Sequence, residues 1–114
     1  MKIVFTSQGP DMDSLMDSRF GRAAYLVSYS SDNNTVEAIS NSEMASEAHG
    51  AGSGTSKKLL ELKPDVLITG NGPGETASKI IKLMNIKTFA NAHGMTLHEA
   101  YEAFKQGKPK EFTL

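Results

Sequence analysis

The sequence predicts a single mixed α/β domain, and three features of its pattern support this prediction. A β-rich run, KIVFTS at Lys2–Ser7, opens the chain, and a hairpin pattern follows it. From Thr55 onward, short apolar runs alternate with amphipathic segments, which is typical of strands joined by crossover helices. The 114 residues suit one domain of ordinary size that spans the whole chain, 1–114.

The hairpin pattern consists of two β-prone segments around a polar turn. Ala24–Tyr29 is aromatic and β-branched, Thr35–Ile39 alternates in polarity, and the SSDNN between them has a turn composition. The next segment, Ser40–Gly54, is rich in Ser, Ala and Gly and contains few large apolar anchors. Ordering such a segment costs entropy with little burial to offset it, so we expect a mobile loop there.

The second half of the chain contains two buried strands with helices around them. Val66–Thr69 reads VLIT, a continuous apolar run expected for a strand buried on both faces, and Ile86–Phe89 is the next strand. The right-handed crossover rule makes both strands parallel to Lys2–Ser7. The loops that leave parallel strands gather at one edge of the sheet, and in open α/β sheets ligands bind at this carboxyl edge.

Local signals define the helices around these strands. Pro64 ends the first helix, because proline disfavours helical geometry at the residue before it. Thr96 and Glu99 have the spacing of a capping box for the last helix. The middle helix has its apolar residues at the i, i+3, i+4, i+7 spacing of a core-facing stripe: Ala77, Ile80, Ile81 and Met84.

The composition excludes several classes of protein. The formal net charge is −1, without the basic excess of a nucleic-acid-binding protein, and no run approaches the roughly 18 apolar residues of a membrane span. The N-terminus, MKIVFTSQGP, is too short and too polar for a signal peptide, so we expect a cytoplasmic protein. The absence of cysteine excludes disulfides, thiolate zinc sites and iron–sulfur clusters held by the chain's own thiolates.

A glycine-rich loop, GNGPG at Gly70–Gly74, leaves a predicted buried strand and enters a predicted helix. Backbone N–H groups at Gly70, Gly72 and Gly74 can approach an anion closely, and a helix N-terminus favours negative charge. The spacing matches neither a Walker loop nor the GxGxxG fingerprint. A tight strand-to-helix turn without a ligand is an equally good interpretation.

The tripeptide Ala-His-Gly occurs twice, with its histidines at His49 and His93, and each copy follows a predicted strand. His49 leads into Gly50 and Gly52, which we interpret as a second glycine turn lining the site. A neutral imidazole can ligate a metal, and an imidazolium can pair with an anion, so His49 is the candidate metal ligand and His93 supports it. A histidine that satisfies only local backbone groups is the alternative for both. His98 is interpreted as surface.

The chain has only two arginines, Arg19 and Arg22, and both lie in the tetrapeptide RFGR. The guanidinium group offers a rigid fork for anions, so Arg22 is the candidate that neutralises a ligand's charge. The alternative is an ion pair with Asp11, Asp13 or Asp17, and one arginine can serve each purpose. The chain shows neither a paired Ser–His–Asp arrangement nor a carboxylate on the VLIT strand, which favours binding over catalysis.

Four motifs occur along the chain in this order: SRFGR at residues 18–22, HGAG at 49–52, DVLITG at 65–70 and GMTLHEA at 94–100. Together they resemble the dinitrogenase iron–molybdenum cofactor biosynthesis family. This NifX-like family also occurs as the C-terminal domain of NifB-like proteins. The resemblance covers essentially the whole chain.

The resemblance implies a fold, a function and a cargo. The fold is a three-layer, ribonuclease-H-like α/β/α domain with a five-stranded mixed sheet and one antiparallel strand. The function is non-enzymatic binding or carriage of an iron–molybdenum cofactor, its iron–sulfur precursor or a related anionic metallocluster, with cofactor-assembly proteins as partners. Such a cluster brings its own sulfides, so the absence of cysteine does not forbid it.

Two other functions fit the same residues. A phosphorylated metabolite or nucleotide fits the amide-rich turns equally well, which would make the protein an enzyme or a regulator. A protein-interaction module that uses the sheet edge or the Ser40–Gly54 segment would bind no small molecule.

Overall fold

A computed structural model describes residues 1–45, 51–90, 92, 94–109 and 111, and within them the strands and helices are as follows. The strands are β1 (Lys2–Ser7), β2 (Tyr25–Ser30), β3 (Thr35–Ser40), β4 (Val66–Ile68) and β5 (Lys87–Phe89). The helices are α1 (Ser42–Ala45), α2 (Ala51–Leu62), α3 (Glu75–Leu83) and α4 (Leu97–Lys105).

The strands form one five-stranded mixed sheet in the order β3-β2-β1-β4-β5. β2 pairs antiparallel with both β1 and β3, whereas β1, β4 and β5 pair in parallel. β1, β3, β4 and β5 therefore run in one direction, and β2 runs in the opposite direction. This topology confirms the predicted mixed sheet with its single antiparallel strand and places the ends of four strands at one edge.

The sheet is covered on both faces, which gives the predicted three layers. Alternate strand residues point to opposite faces because the side-chain period of a strand is two. One face packs against α4 and the other against α2 and α3. The α4 side contains Ile3, Phe5, Val27, Val66, Ile68, Leu97 and Ala100. The other side contains Val4, Leu26, Leu67, Leu59, Leu62, Ala77 and Ile81.

The helix-end signals predicted from the sequence are found in the structure. The Thr96 hydroxyl accepts the Glu99 N–H at 3.1 Å, and the Glu99 carboxylate accepts the Thr96 N–H at 2.9 Å, so the capping box is confirmed. α2 ends at Leu62, and Lys63 turns the chain with a positive φ of 49° directly before Pro64. No helix within the described parts of the chain is long and apolar enough to cross a membrane.

The prediction of a loop over Ser40–Gly54 is wrong for much of that segment. β3 continues to Ser40, α1 begins two residues later, and α2 begins at Ala51. Gly52 therefore lies in the first turn of α2 and not in a glycine turn. A Cβ at Gly52 would lie 3.4 Å from the Ala77 Cβ, at the short end of ordinary van der Waals contact, so the first turns of α2 and α3 pack against each other here. Helix packing of this kind overrides a weak local propensity. Residues 46–50 lie outside the described part of the chain.

Thr88 generates a prediction about stability. Its hydroxyl is the one side-chain group in the described residues that is buried without a hydrogen-bond partner. Thr88→Val removes this unsatisfied group with little change of shape, so we expect the free energy of unfolding to rise by about 1 kcal/mol. Urea denaturation monitored by circular dichroism measures the change.

Thr69→Val is the matched control for this substitution. Thr69 is also fully buried, but its hydroxyl accepts a hydrogen bond from Thr6 Oγ1 at 2.9 Å. Its replacement leaves the Thr6 hydroxyl with one partner fewer and should lower stability. A Thr88→Val protein less stable than the wild type would contradict the prediction.

Candidate functional site

The loop after β1 and the loop after β4 are joined by backbone hydrogen bonds at the carboxyl edge. The Asp17 N–H donates to the Thr6 carbonyl at 2.9 Å, and the Asp17 carbonyl accepts the Gly70 N–H at 3.3 Å. The next pair continues the contact, since the Asn71 N–H donates to the Ser18 carbonyl at 3.0 Å. The two loops therefore form one rigid surface over the ends of β1 and β4.

Gly70 allows this close approach because it has no side chain. A Cβ there would lie 2.5 Å from the Ser18 Cα and 2.8 Å from the Asp17 carbonyl oxygen, and both are backbone atoms that cannot move aside cheaply. Its N–H, predicted to face a ligand, donates to Asp17 in this structure. The tight-turn interpretation therefore fits Gly70. Of the other two glycines of this loop, Gly72 is half-buried and Gly74 is exposed.

Arg19 and Asp17 form the ion pair that the sequence left open. The Asp17 carboxylate accepts hydrogen bonds from Arg19 Nε at 3.1 Å, Arg19 Nη2 at 3.3 Å and the Arg19 N–H at 3.0 Å. The Ala24 N–H donates to the same carboxylate at 3.4 Å. The Asp17 side chain is only 3% exposed, so these donors replace its lost hydration. The hydrogen bond to Asp17 raises the pKa of Arg19 above its ordinary value.

The segment around Arg22 is fixed by two side chains that sequence reasoning did not single out. Asn41 is fully buried, and its Nδ2 donates to the carbonyls of Gly21 at 3.3 Å and Ala23 at 2.9 Å. Thr55, also fully buried, donates its hydroxyl to the Gly21 carbonyl at 2.8 Å. Both residues fell inside or beside the predicted loop, so no periodicity marked them as structured.

The N-termini of α2 and α3 lie side by side at the same edge. Gly52 is in the first turn of α2 and Ala77 in the first turn of α3, and these two residues form the close contact described above. α3 begins after Gly74, which provides no side-chain cap. The leading N–H groups of a helix have no intrahelical partner, and among the described residues no side chain caps α3, so its donors are candidates for a ligand at this edge.

The N-terminus of α4 differs, because its donors are already used. Besides the Thr96 capping box, the Leu97 N–H donates to the Ser14 carbonyl and the His98 N–H to the Met12 carbonyl, both at 2.9 Å. The His98 side chain is exposed, as predicted. The loop after β1 thus closes the α4 terminus and leaves the α2 and α3 termini as the candidate anion site.

Three predicted site residues, His49, Gly50 and His93, lie outside the described part of the chain, and their roles stay predictions. Within the part that the structure describes, no group of three or more histidine or carboxylate side chains is arranged to hold a metal ion. The structure describes the other predicted site residues. Gly70 joins two loops, and the loops and helix ends just described contain Arg22, Gly52, Gly72 and Gly74.

These features define a three-layer α/β domain whose carboxyl edge brings the segment of Arg22 beside the first turns of α2 and α3. Residues 1–107 match the sequence model of the family described as dinitrogenase iron–molybdenum cofactor, and the chain belongs to this family. No match was found among curated proteins.

Two solved structures are similar over nearly the whole chain. The apo form of the orange protein from Desulfovibrio gigas is 30% identical, with a TM-score of 0.92 over 98% of this chain and 92% of that one. A NifB-like Thermotoga protein of the DUF35 family, solved by NMR, is also 30% identical, with a TM-score of 0.83 over 99% of this chain and 97% of that one.

The close approach at Gly70 generates a second prediction about stability. Gly70→Ala forces the Asp17 and Ser18 backbone away and should lower the free energy of unfolding by about 1–3 kcal/mol. Gly74→Ser is the control, because nothing lies within 4 Å of its Cβ position and serine is a favourable N-cap. Urea denaturation of both variants measures the difference, and equal stabilities would refute the role assigned to Gly70.

Proposed function

We propose that this protein is a non-enzymatic carrier that binds an anionic metallocluster at the carboxyl edge of its sheet. The cargo is an iron–molybdenum cofactor, its iron–sulfur precursor or a related cluster, and cofactor-assembly proteins are the partners that deliver or receive it. The family supports this choice. So does the similarity to a protein known in an apo form, since an apo form implies a bound form. The observation that carries the proposal is the convergence of the α2 and α3 N-termini beside the segment of Arg22.

The electrostatics of this edge favour an anion. Each helix N-terminus acts as roughly half a positive charge, and two of them in contact add to the charge of Arg22. Glu75, in the first turn of α3, is acidic, but it is exposed and its carboxylate lies 3.5 Å from the Lys79 Nζ. The attraction is local, because the formal net charge of the whole chain is −1.

The residues assigned to the cluster combine three kinds of contact. Arg22 neutralises charge, and the amides of Gly50, Gly52, Gly72 and Gly74 donate hydrogen bonds to the cluster's sulfides. His49 ligates a metal atom of the cluster, and His93 assists it from the loop after β5. Both histidine roles enter from the sequence, where each Ala-His-Gly follows a strand that ends at this edge.

A carrier function also agrees with how the buried polar groups of this edge are used. The Asp17 carboxylate is saturated by Arg19 and Ala24, and the Thr6 hydroxyl lies within hydrogen-bonding distance of both Thr69 and the Asp17 carbonyl. A general acid or base needs a group that exchanges protons with a substrate. The buried carboxylate of this edge serves the fold instead.

The second candidate function, binding of a phosphorylated metabolite or nucleotide, is favoured by the same uncapped α3 terminus. Phosphate is a common ligand of such termini. Anaerobic titration distinguishes the two functions, with tetrathiomolybdate and a thiolate-ligated 4Fe–4S cluster as metallosulfide probes and ATP and inorganic phosphate as the competitors. The carrier function requires a change in visible absorbance at stoichiometric protein that phosphate does not reverse. Binding of ATP alone would replace it, and no binding of any probe would favour an interaction module.

Replacement of the histidines tests the assignment of His49. We expect His49→Ala to weaken binding of the 4Fe–4S probe by about ten- to a hundredfold, because a ligand contact is lost, and His98→Ala to leave it unchanged. His93→Ala should lie between them. Thermal melts control for folding. Equal affinities of the His49 and His98 variants would remove His49 from the site.

Gly74→Asp separates binding from stability. An aspartate at the N-cap position accepts hydrogen bonds from the leading N–H groups of α3 and interacts favourably with the helix dipole, so the free energy of unfolding should stay the same or rise. The same carboxylate repels an anionic cargo, and we expect at least about a tenfold loss of affinity for tetrathiomolybdate. Gly74→Asn is the uncharged control and should lose less. Undiminished affinity in Gly74→Asp would place the cargo elsewhere.

A further inference from the structure

The segment that carries Arg22 is anchored at each residue beside it. The Phe20 side chain is 3% exposed and packs in the core under α2 and α3. The carbonyls of Gly21 and Ala23 accept hydrogen bonds from Asn41, and the Ala24 carbonyl accepts the Asn41 N–H at 2.8 Å. Such an arrangement restricts the backbone on both sides of a single arginine.

Asn41 and Thr55 connect this segment to α2. Asn41 follows the last residue of β3, and Thr55 lies one turn into α2. The Asn41 Nδ2 donates to Thr55 Oγ1 at 3.0 Å, and the Thr55 hydroxyl lies 3.3 Å from Asn41 Oδ1 as well as 2.8 Å from the Gly21 carbonyl. Both side chains are completely buried. The pair therefore links the arginine segment to the helix whose N-terminal amides form the other half of the candidate site.

We propose that Asn41 and Thr55 are positioning residues that hold Arg22 in register with the N-terminus of α2, so that the anion site is assembled before the cargo arrives. This inference rests on the proposed function, because it takes Arg22 and the amides of α2 as contacts of the cargo. Asn41 and Thr55 themselves do not contact the cargo. Its physical basis is preorganisation: an anion that meets a fixed cation and fixed amides does not have to order them. The network gives the backbone beside Arg22 and the first turns of α2 a common anchor.

Thr55 offers a matched pair of substitutions. Thr55→Val keeps the shape and removes the hydroxyl, whereas Thr55→Ser keeps the hydroxyl and therefore the bond to Gly21. Affinity for tetrathiomolybdate should fall about three- to tenfold in Thr55→Val and stay near the wild-type value in Thr55→Ser. Circular dichroism confirms that each variant is folded at the temperature of the titration.

A double-mutant cycle with Arg22→Gln separates positioning from a general structural role. If Thr55 acts through Arg22, Thr55→Val should change the affinity by less than about twofold once Arg22 is already glutamine, because contacting or linked residues are not additive. The same loss in both backgrounds would overturn the inference, as would equal losses in Thr55→Val and Thr55→Ser.

A measurement on the ligand-free protein keeps this inference distinct from the proposed function. The NMR order parameter of the Arg22 Nε–H should fall in Thr55→Val and not in Thr55→Ser. If the probe does not bind, or if Arg22→Gln binds it normally, the proposed function fails, and the order parameter alone then decides whether Thr55 positions Arg22. An unchanged order parameter in Thr55→Val overturns the positioning role, whatever the cargo.

Discussion

The Asp17 residue connects the parts of the carboxyl edge through both its backbone and its side chain. Its N–H and carbonyl bind Thr6 and Gly70, which joins the ends of β1 and β4. Its carboxylate accepts hydrogen bonds from Arg19 and Ala24, which folds the loop after β1 back onto the start of β2. A carboxylate that is 3% exposed is stable only while these donors are present, because its desolvation is otherwise uncompensated. The rest of the edge depends on this interaction.

The two arginines of the RFGR motif are assigned different roles. Arg19 and Arg22 have the same chemistry and are three residues apart, but Arg19 neutralises a buried carboxylate of the protein itself. Phe20 between them is buried in the core against α2 and α3. Beside Arg22, the buried Asn41–Thr55 pair donates hydrogen bonds to the carbonyls of Ala23 and Gly21. Under the proposed function, this motif contains one cation that serves the fold and one that binds the cargo.

The N-termini of α4 and α3 differ in how they are capped. α4 uses its leading donors on Thr96 and on the loop after β1, whereas α3 begins at a glycine without a side-chain cap. Within the part of the chain that the structure describes, no N-cap side chain satisfies the leading donors of α3, and its first turn contacts the first turn of α2, so hydrogen-bonding capacity is concentrated at one place. That capacity faces the edge to which four strands deliver their loops.

Local patterns in the sequence determined the strands and the parallel order of β1, β4 and β5. They also determined the core-facing side of α3 and the capping box of α4. Such patterns are readable because alternation, helical spacing and capping act over a few residues. They also placed the glycine loop of residues 70–74 at the carboxyl edge. Only the tertiary structure decided the helical state of Ala51–Gly54, the partner of Arg19 and the role of Gly70. Each depends on a residue distant in the chain: Ala77 packs on Gly52, and Asp17 meets Gly70. The Asn41–Thr55 network was hidden for the same reason, since a buried polar side chain is recognised by its partners, and partners are set by the fold.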